Sequence, residues 1–253
     1  MHKTNCMKKM IVSLFAIFAF SFISFAQSEK AENPNNKFDY LGKIHNNGLK
    51  QIASDISSIN SFKKDWIETT ITILKDNKLE VSSSIKYMNE EKSSLILGYK
   101  EANDLNTISV EKLDYFHSNG FISDDANKFL KEILDLTSQI EEIKDLELIK
   151  TKFIDIESEI SKLENSDKEF LLSVASITRH SVFYWSNNST ISNNSAKLSW
   201  GGAAKADLGG AVAGGIRFGV LAAFGGPAGW GACGIACLAG GLGASAGYCI
   251  AFW

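Results

Sequence analysis

Apolar positions recur at helical spacing over most of the chain. Phe38, Leu41, Ile44, Leu49, Ile52, Ile56 and Ile59 step by about three or four, although Asn46-Asn47-Gly48 weakens the middle of the run. Trp66, Ile67, Ile71, Ile73 and Leu74 mark a second segment that stops near Asp76-Asn77. Lys78 to Glu101 is ambiguous: Leu79-Glu80-Val81 and Ile85-Lys86-Tyr87 alternate like a strand, but one short pair does not make a sheet. Ser109 to His117 predicts a short helix ended by Asn119-Gly120, and Ser123 before Asp124 and Asp125 signals a restart. Phe129, Ile133, Leu136, Ile140 and Ile143 follow in steps of four and three, and the rhythm resumes at Leu146, Ile149, Phe153, Ile156, Ile160 and Leu163. Two consecutive steps of three, 143 to 146 to 149, interrupt the phase, so one helix of about forty residues and two shorter ones both fit. Ser166 with Glu169 fits a capping box for a last body helix running to about Trp185. That helix is apolar nearly all round, which places it centrally among the others.

The chain changes character at residue 201. Residues 201–253 hold 16 of its 20 glycines, and no charged residue follows Arg217. A helix this rich in glycine loses roughly 1 kcal/mol at each such position relative to alanine, so it persists only where close backbone packing or lipid offsets the loss. Leu208 to Gly226 and Ala228 to Phe252 are each about twenty residues, enough at 1.5 Å per residue to cross a hydrocarbon core of about 30 Å. Gly225-Gly226-Pro227 between them is a turn signal, so a helical hairpin is expected. Gly210 with Gly214, Gly215 with Gly219, Gly225 with Gly229, and Gly243 with Gly247 are small-residue pairs four apart, and Ala232, Ala236, Gly240 and Ala244 extend one face. Such faces let helix backbones approach closely and support self-association. In a two-span hairpin Trp200 and Trp253 would lie at one membrane interface and Trp230 at the other; simple buried packing of the three indoles is the alternative.

The fold class predicted is therefore mainly α, a helical-bundle body followed by a Gly/Ala-rich C-terminal helical hairpin. Residues 1–26 form a signal peptide: Lys8 and Lys9 precede an apolar run from Ile11 to Phe25, and Ser24 and Ala26 stand where a signal peptidase reads. The run is short of the ~20 apolar residues of a membrane span. Residues 27–37, polar with Pro34 among asparagines, are expected to be a disordered leader. Residues 38–186 make the body, 187–200 a polar linker and 201–253 the hydrophobic tail.

Charge narrows the partners. Without the first 26 residues, which supply Lys3, Lys8 and Lys9, the 26 basic and 29 acidic residues become 23 and 29, a net of about −6. An acidic body argues against nucleic acid, whose phosphates demand clustered Lys and Arg, and against a purely electrostatic hold on anionic lipid. Hydrophobic insertion is the remaining route to a membrane. In the first half of the tail, seven apolar side chains at about 0.3–0.6 kcal/mol each roughly balance the 2.5–3.5 kcal/mol that Arg217 costs near the centre. Insertion after export, together with copies or a partner, follows; Arg217 is either a partnered residue or one that snorkels to water.

Catalytic and metal chemistry is not suggested. His45, His117 and His180 stand apart from any cysteine or serine motif, the glycine runs lack the Lys-Ser/Thr of a phosphate loop, and acidic pairs such as Glu141-Glu142 read as solvated faces. No enzyme activity, cofactor or metal is expected. Cys233, Cys237 and Cys249 enter an oxidising compartment on export, so a disulfide is expected. A bridge to Cys249 requires a bend, which Gly240-Gly241-Leu242-Gly243 could provide, because twelve residues of straight helix separate Cys249 from Cys237 by about 18 Å.

The tail segments Gly209-Gly210-Ala211-Val212-Ala213-Gly214-Gly215 and Gly225-Gly226-Pro227-Ala228-Gly229-Trp230-Gly231-Ala232-Cys233-Gly234-Ile235-Ala236-Cys237 resemble the glycine-zipper segments of class II bacteriocins and of exported glycine-zipper toxins. The resemblance implies small-residue helices that associate and permeabilise a membrane. This chain departs from the pattern in its signal and its large body. The signal ending Ser24-Phe25-Ala26-Gln27 and the Asn/Lys/Ile-rich body resemble exported Bacteroidota proteins. Two functions are thus expected. One is a secreted membrane-active protein, its partners lipid or copies of itself. The other is a cell-envelope protein anchored by the tail, with the body binding an envelope protein.

Overall fold

The structure, a computed structural model, describes residues 30–55, 72–77, 79, 108–140, 142–143, 145–165, 167–187, 200–222 and 229–252; within the tail, side chains are described over 201–216 and 233–244. The expectations for the signal peptide, for most of Lys78 to Glu101, for the capping residue Ser166, for most of the polar linker, for the turn at Gly225 and for Trp253 lie outside these residues. Among the described residues the fold is mainly α, a helical bundle with no strand. Its longer helices are α1 (Asp39–Asp55), α2 (Val110–Ser118), α3 (Asp124–Gln139), α4 (Leu146–Ile160), α5 (Asp167–Asn187), α6 (Trp200–Ala222) and α7 (Gly229–Phe252), and residues 72–76 are helical as well.

Local chemistry sets the helix ends. The Ser109 hydroxyl accepts from Lys112 N to start α2, and α2 ends where Gly120 takes φ +72°, a left-handed conformation that glycine reaches without steric cost. Ser123 restarts the chain as expected, its hydroxyl accepting from Ala126 N. The phase interruption at 143–149 resolves as two helices, because Asp145 accepts from Glu147 N and Leu148 N and so caps α4.

Helix α1 runs unbroken through Asn46-Asn47-Gly48. Tertiary packing overrides the weak local propensity here: a Cβ on Gly48 would lie 2.7 Å from Leu242 Cδ2, so glycine is what lets α7 approach. Residues 30–37 are not a disordered leader. Ala31, Asn33 and Asn36 are buried, and Asn36 Oδ1 accepts from Phe38 N while its carbonyl accepts from Asp39 N, which turns the chain into α1.

Helix α5 is central. Every residue from Phe170 to Trp185 is buried, and α1, α3, α4, α6 and α7 all pack on it. Helices α6 and α7 pack most extensively on each other, and together they cover α5 and the inner face of α1. The tail thus completes the core of the body: Ala203, Ala204, Leu208, Val212, Leu238 and Leu242 are buried in the same apolar cluster as Leu41, Ile133 and Phe183.

Candidate functional site

The hairpin is built on missing side chains. A Cβ on Gly210 would fall on the carbonyl oxygen of Gly240 and lie 2.6 Å from Ala244 Cβ; one on Gly214 would fall on the carbonyl oxygen of Ala236, and one on Gly240 on that of Gly210. As the numbers rise along α6 they fall along α7, so the two helices are antiparallel with backbones in contact. The structure thus brings together Gly210, Gly214, Ala236, Gly240 and Ala244, and it does so within one chain. Gly215 belongs to a different junction, where its Cβ would collide with the Phe170 ring of α5 and lie 2.7 Å from Cys237 Sγ. Gly219, Gly229, Gly243 and Gly247 lie within α6 or α7. Trp200 and Trp230 open α6 and α7, and their indoles are outside the described side chains.

One sequence expectation changes here. Among the described residues no helix is long and apolar enough to cross a membrane; the two-span arrangement takes in residues outside these and stays an expectation. Helix α6 carries Lys205 and Asp207 in its first turns. The bend expected at Gly240 to Gly243 is absent: α7 is continuous to Phe252, which keeps Cys249 about 18 Å along the axis from Cys237. Cys233 and Cys237 are free and buried one turn apart. Burial pushes the Cys237 thiol well up, and the neighbouring Cys233 adds to the shift.

The second feature is a polar seam inside the bundle. Arg179 of α5 is fully buried; its Nη2 donates to Asp39 Oδ1 at 2.7 Å and to Glu157 Oε1 at 3.1 Å. Asn33 and Asn36 donate to the two Glu157 oxygens, the latter at 3.0 Å, and Asn33 N donates to Asp39 Oδ1 at 3.1 Å. Glu157 occupies a buried position on α4 in line with Ile149, Phe153 and Ile160. Burial alone would raise the Asp39 carboxyl, but the hydrogen bond from His180 and the Arg179 guanidinium outweigh it and hold the group well below the usual carboxylate range. His180 Nε2 lies 3.0 Å from Asp39 Oδ1; the ionised carboxylate can only accept, so Nε2 carries the proton and Nδ1 is left without a partner among the described residues. Burial pushes His180 down, and Arg179 adds to that against the pull of Asp39.

The seam continues into the tail. Asn46 Nδ2 donates to the His180 carbonyl at 2.8 Å, which turns its Oδ1 toward His45 Nδ1 at 3.4 Å. His45 Nε2 in turn stands 3.7 Å from Asp207 Oδ2 of α6. That same oxygen accepts from Ser181 Oγ and, at 2.9 Å, from Trp185 Nε1, both on α5. Asp207, His45 and Ser181 are fully buried. Among the described residues Asp207 Oδ1 and His45 Nε2 find no hydrogen-bond partner.

Sequence reasoning found His45 and His180 apart from any cysteine or serine motif and overlooked Arg179, Glu157, Asp39 and Asp207. One signal was available. Arg179 is the sole full charge between Phe170 and Trp185, and Asp207 the sole acid after residue 200. A lone charge in an apolar frame needs a partner. No protein family, curated protein or solved structure matches the chain.

Proposed function

We propose that this chain is an exported membrane-active protein, bacteriocin- or toxin-like, that holds its glycine-zipper hairpin against its own body until it meets lipid or further copies of itself. The observation that carries this reading is the antiparallel α6–α7 face, where Gly210 and Gly214 meet Gly240 and Ala236 backbone to backbone. Close small-residue contact of this kind needs no water-driven hydrophobic term and survives in lipid, whereas the contacts of α6 and α7 with α5 and α1 are ones that lipid could replace. Enzymatic chemistry plays no part in the proposal.

A second function is favoured by the buried seam. Because Asp207 accepts from Ser181 and Trp185 and so ties the tail into the body, the whole chain would then be one envelope-associated interaction module whose tail stays docked. Liposomes separate the two. Purified full-length protein added to dye-loaded vesicles releases dye and co-sediments with lipid if it is membrane-active. Co-fractionation with cell envelopes without dye release, and with the tail protected from protease, selects the interaction module. Absence from both vesicles and envelopes overturns both.

A further inference from the structure

We infer that Asp207 is the catch of an autoinhibitory latch, in which Ser181 and Trp185 of the body hold the hairpin in its stored position. This regulation rests on the membrane-active reading above, and its physical basis is local. The apolar contacts of α6 with α5 grade smoothly with distance, but hydrogen bonds to a buried carboxylate are directional and are lost over a fraction of an ångström. Asp207 is the only acid of the tail. Its Oδ2 takes both donors that α5 offers at this level, Ser181 Oγ and Trp185 Nε1, and His45 of α1 closes the third side at 3.7 Å. The two hydrogen bonds therefore register the hairpin against α5.

The same carboxylate opposes the released state. An Asp side chain within an apolar helix resists transfer to hydrocarbon, so the group that docks the hairpin also penalises premature insertion. The latch is also incomplete. Asn46 fixes the His45 tautomer with its proton on Nδ1, so the Nε2 lone pair faces an acceptor oxygen of Asp207, and among the described residues Asp207 Oδ1 finds no donor. A seam with two unmet positions opens more readily than a fully satisfied one.

Cys237 reports the opening, because it is wedged where α6, α7 and Phe170 of α5 meet. The test is alkylation of native full-length protein without lipid, read by mass at Cys233 and Cys237, for wild type, Asp207→Ala, Ser181→Ala and Leu113→Ala. Loss of a hydrogen bond to a charged group shifts an opening equilibrium by about tenfold or more, so Ser181→Ala is expected to be alkylated about tenfold faster than wild type and Asp207→Ala faster still. Leu113 is buried in α2, which packs on α3 and makes no extensive contact with α6 or α7, so Leu113→Ala is expected to lower the melting temperature without matching that acceleration.

Should Asp207→Ala fail to fold, Ser181→Ala decides alone. Folded Ser181→Ala with wild-type thiol protection overturns the latch, and so does acceleration in Leu113→Ala equal to that in the latch variants. Dye release from vesicles is measured on the same samples. Accelerated alkylation without dye release supports the latch and rejects the membrane-active function, which keeps the two failures apart.

Discussion

Helices α5 and α7 are both enclosed by neighbours, and they achieve it in opposite ways. Helix α5 keeps large and polar side chains inside and gives each a partner: Arg179 finds Asp39 and Glu157, His180 finds Asp39, and the Thr178 hydroxyl donates to the Val174 carbonyl at 2.8 Å. Helix α7 removes side chains, so that α6 meets its backbone at Gly240 and Ala236. The first solution depends on ion pairing in a dry core and fails when one member is lost. The second depends on volume and fails when a methyl is added. Only the second can be carried unchanged into lipid, because it contains no charge.

The largest expected effect breaks the first solution. Arg179→Ala leaves Asp39 and Glu157 buried together without their cation, and the loss of stability is expected at about 3–5 kcal/mol in urea unfolding. If Arg179→Ala unfolds within about 1 kcal/mol of wild type, the seam is solvated and the contrast with α7 disappears.

Next comes the volume-based solution. Gly240→Ala places a methyl against the Gly210 carbonyl, and Gly214→Ala does the same at Ala236. Overpacking of this kind costs about 1–3 kcal/mol even though alanine is the better helix former. Thermal unfolding by circular dichroism measures it. Gly120→Ala is a useful contrast, because its Cβ meets nothing within 4 Å and any loss there comes from the φ of +72° alone. A stabilised Gly240→Ala would show that α6 and α7 are not in backbone contact.

How much of this was legible follows the same division. The signals that act over four residues were readable: Ser123 as a cap, Asn119-Gly120 as a stop, the apolar girth of α5, and the face Ala236, Gly240, Ala244 opposite Gly210 and Gly214. Signals that act across the fold were not. Asn33 and Asn36 look like loop residues until Glu157, more than a hundred positions away, supplies their acceptor. Gly48 looks like a helix breaker until Leu242 arrives. The bridged-tail expectation failed for a related reason: it treated the tail as isolated, whereas the first turns of the tail carry a carboxylate that the body binds.

The smallest effect at neutral pH, and the one that sharpens the contrast by chemistry, concerns His180. Its ring is held neutral by burial, with Asp39, Lys43 and Arg179 as its charged neighbours, so protonation is harder in the folded chain than at the ordinary value of 6.5. Below about pH 6.5 the unfolded chain therefore binds a proton that the folded chain refuses, and stability falls as pH falls. Asp39 acts lower on the scale. Its depressed carboxyl contributes stability above the ordinary 3.8 that is lost progressively as the pH drops further. Wild-type melting temperature is thus expected to decline in two stages, from about 6.5 downward and again from about 4. His180→Gln keeps a donor for Asp39 but cannot be charged, so it should remove the upper stage and leave the lower one. Where Gly210 and Gly214 meet Ala236, Gly240 and Ala244 there is no carboxylate or imidazole to titrate in this range, so Gly240→Ala should shift the whole profile down without changing its shape. An upper stage that persists unchanged in His180→Gln would move the acid sensitivity out of the α5 seam, and with it the claim that α5 is enclosed by charge and α7 by volume.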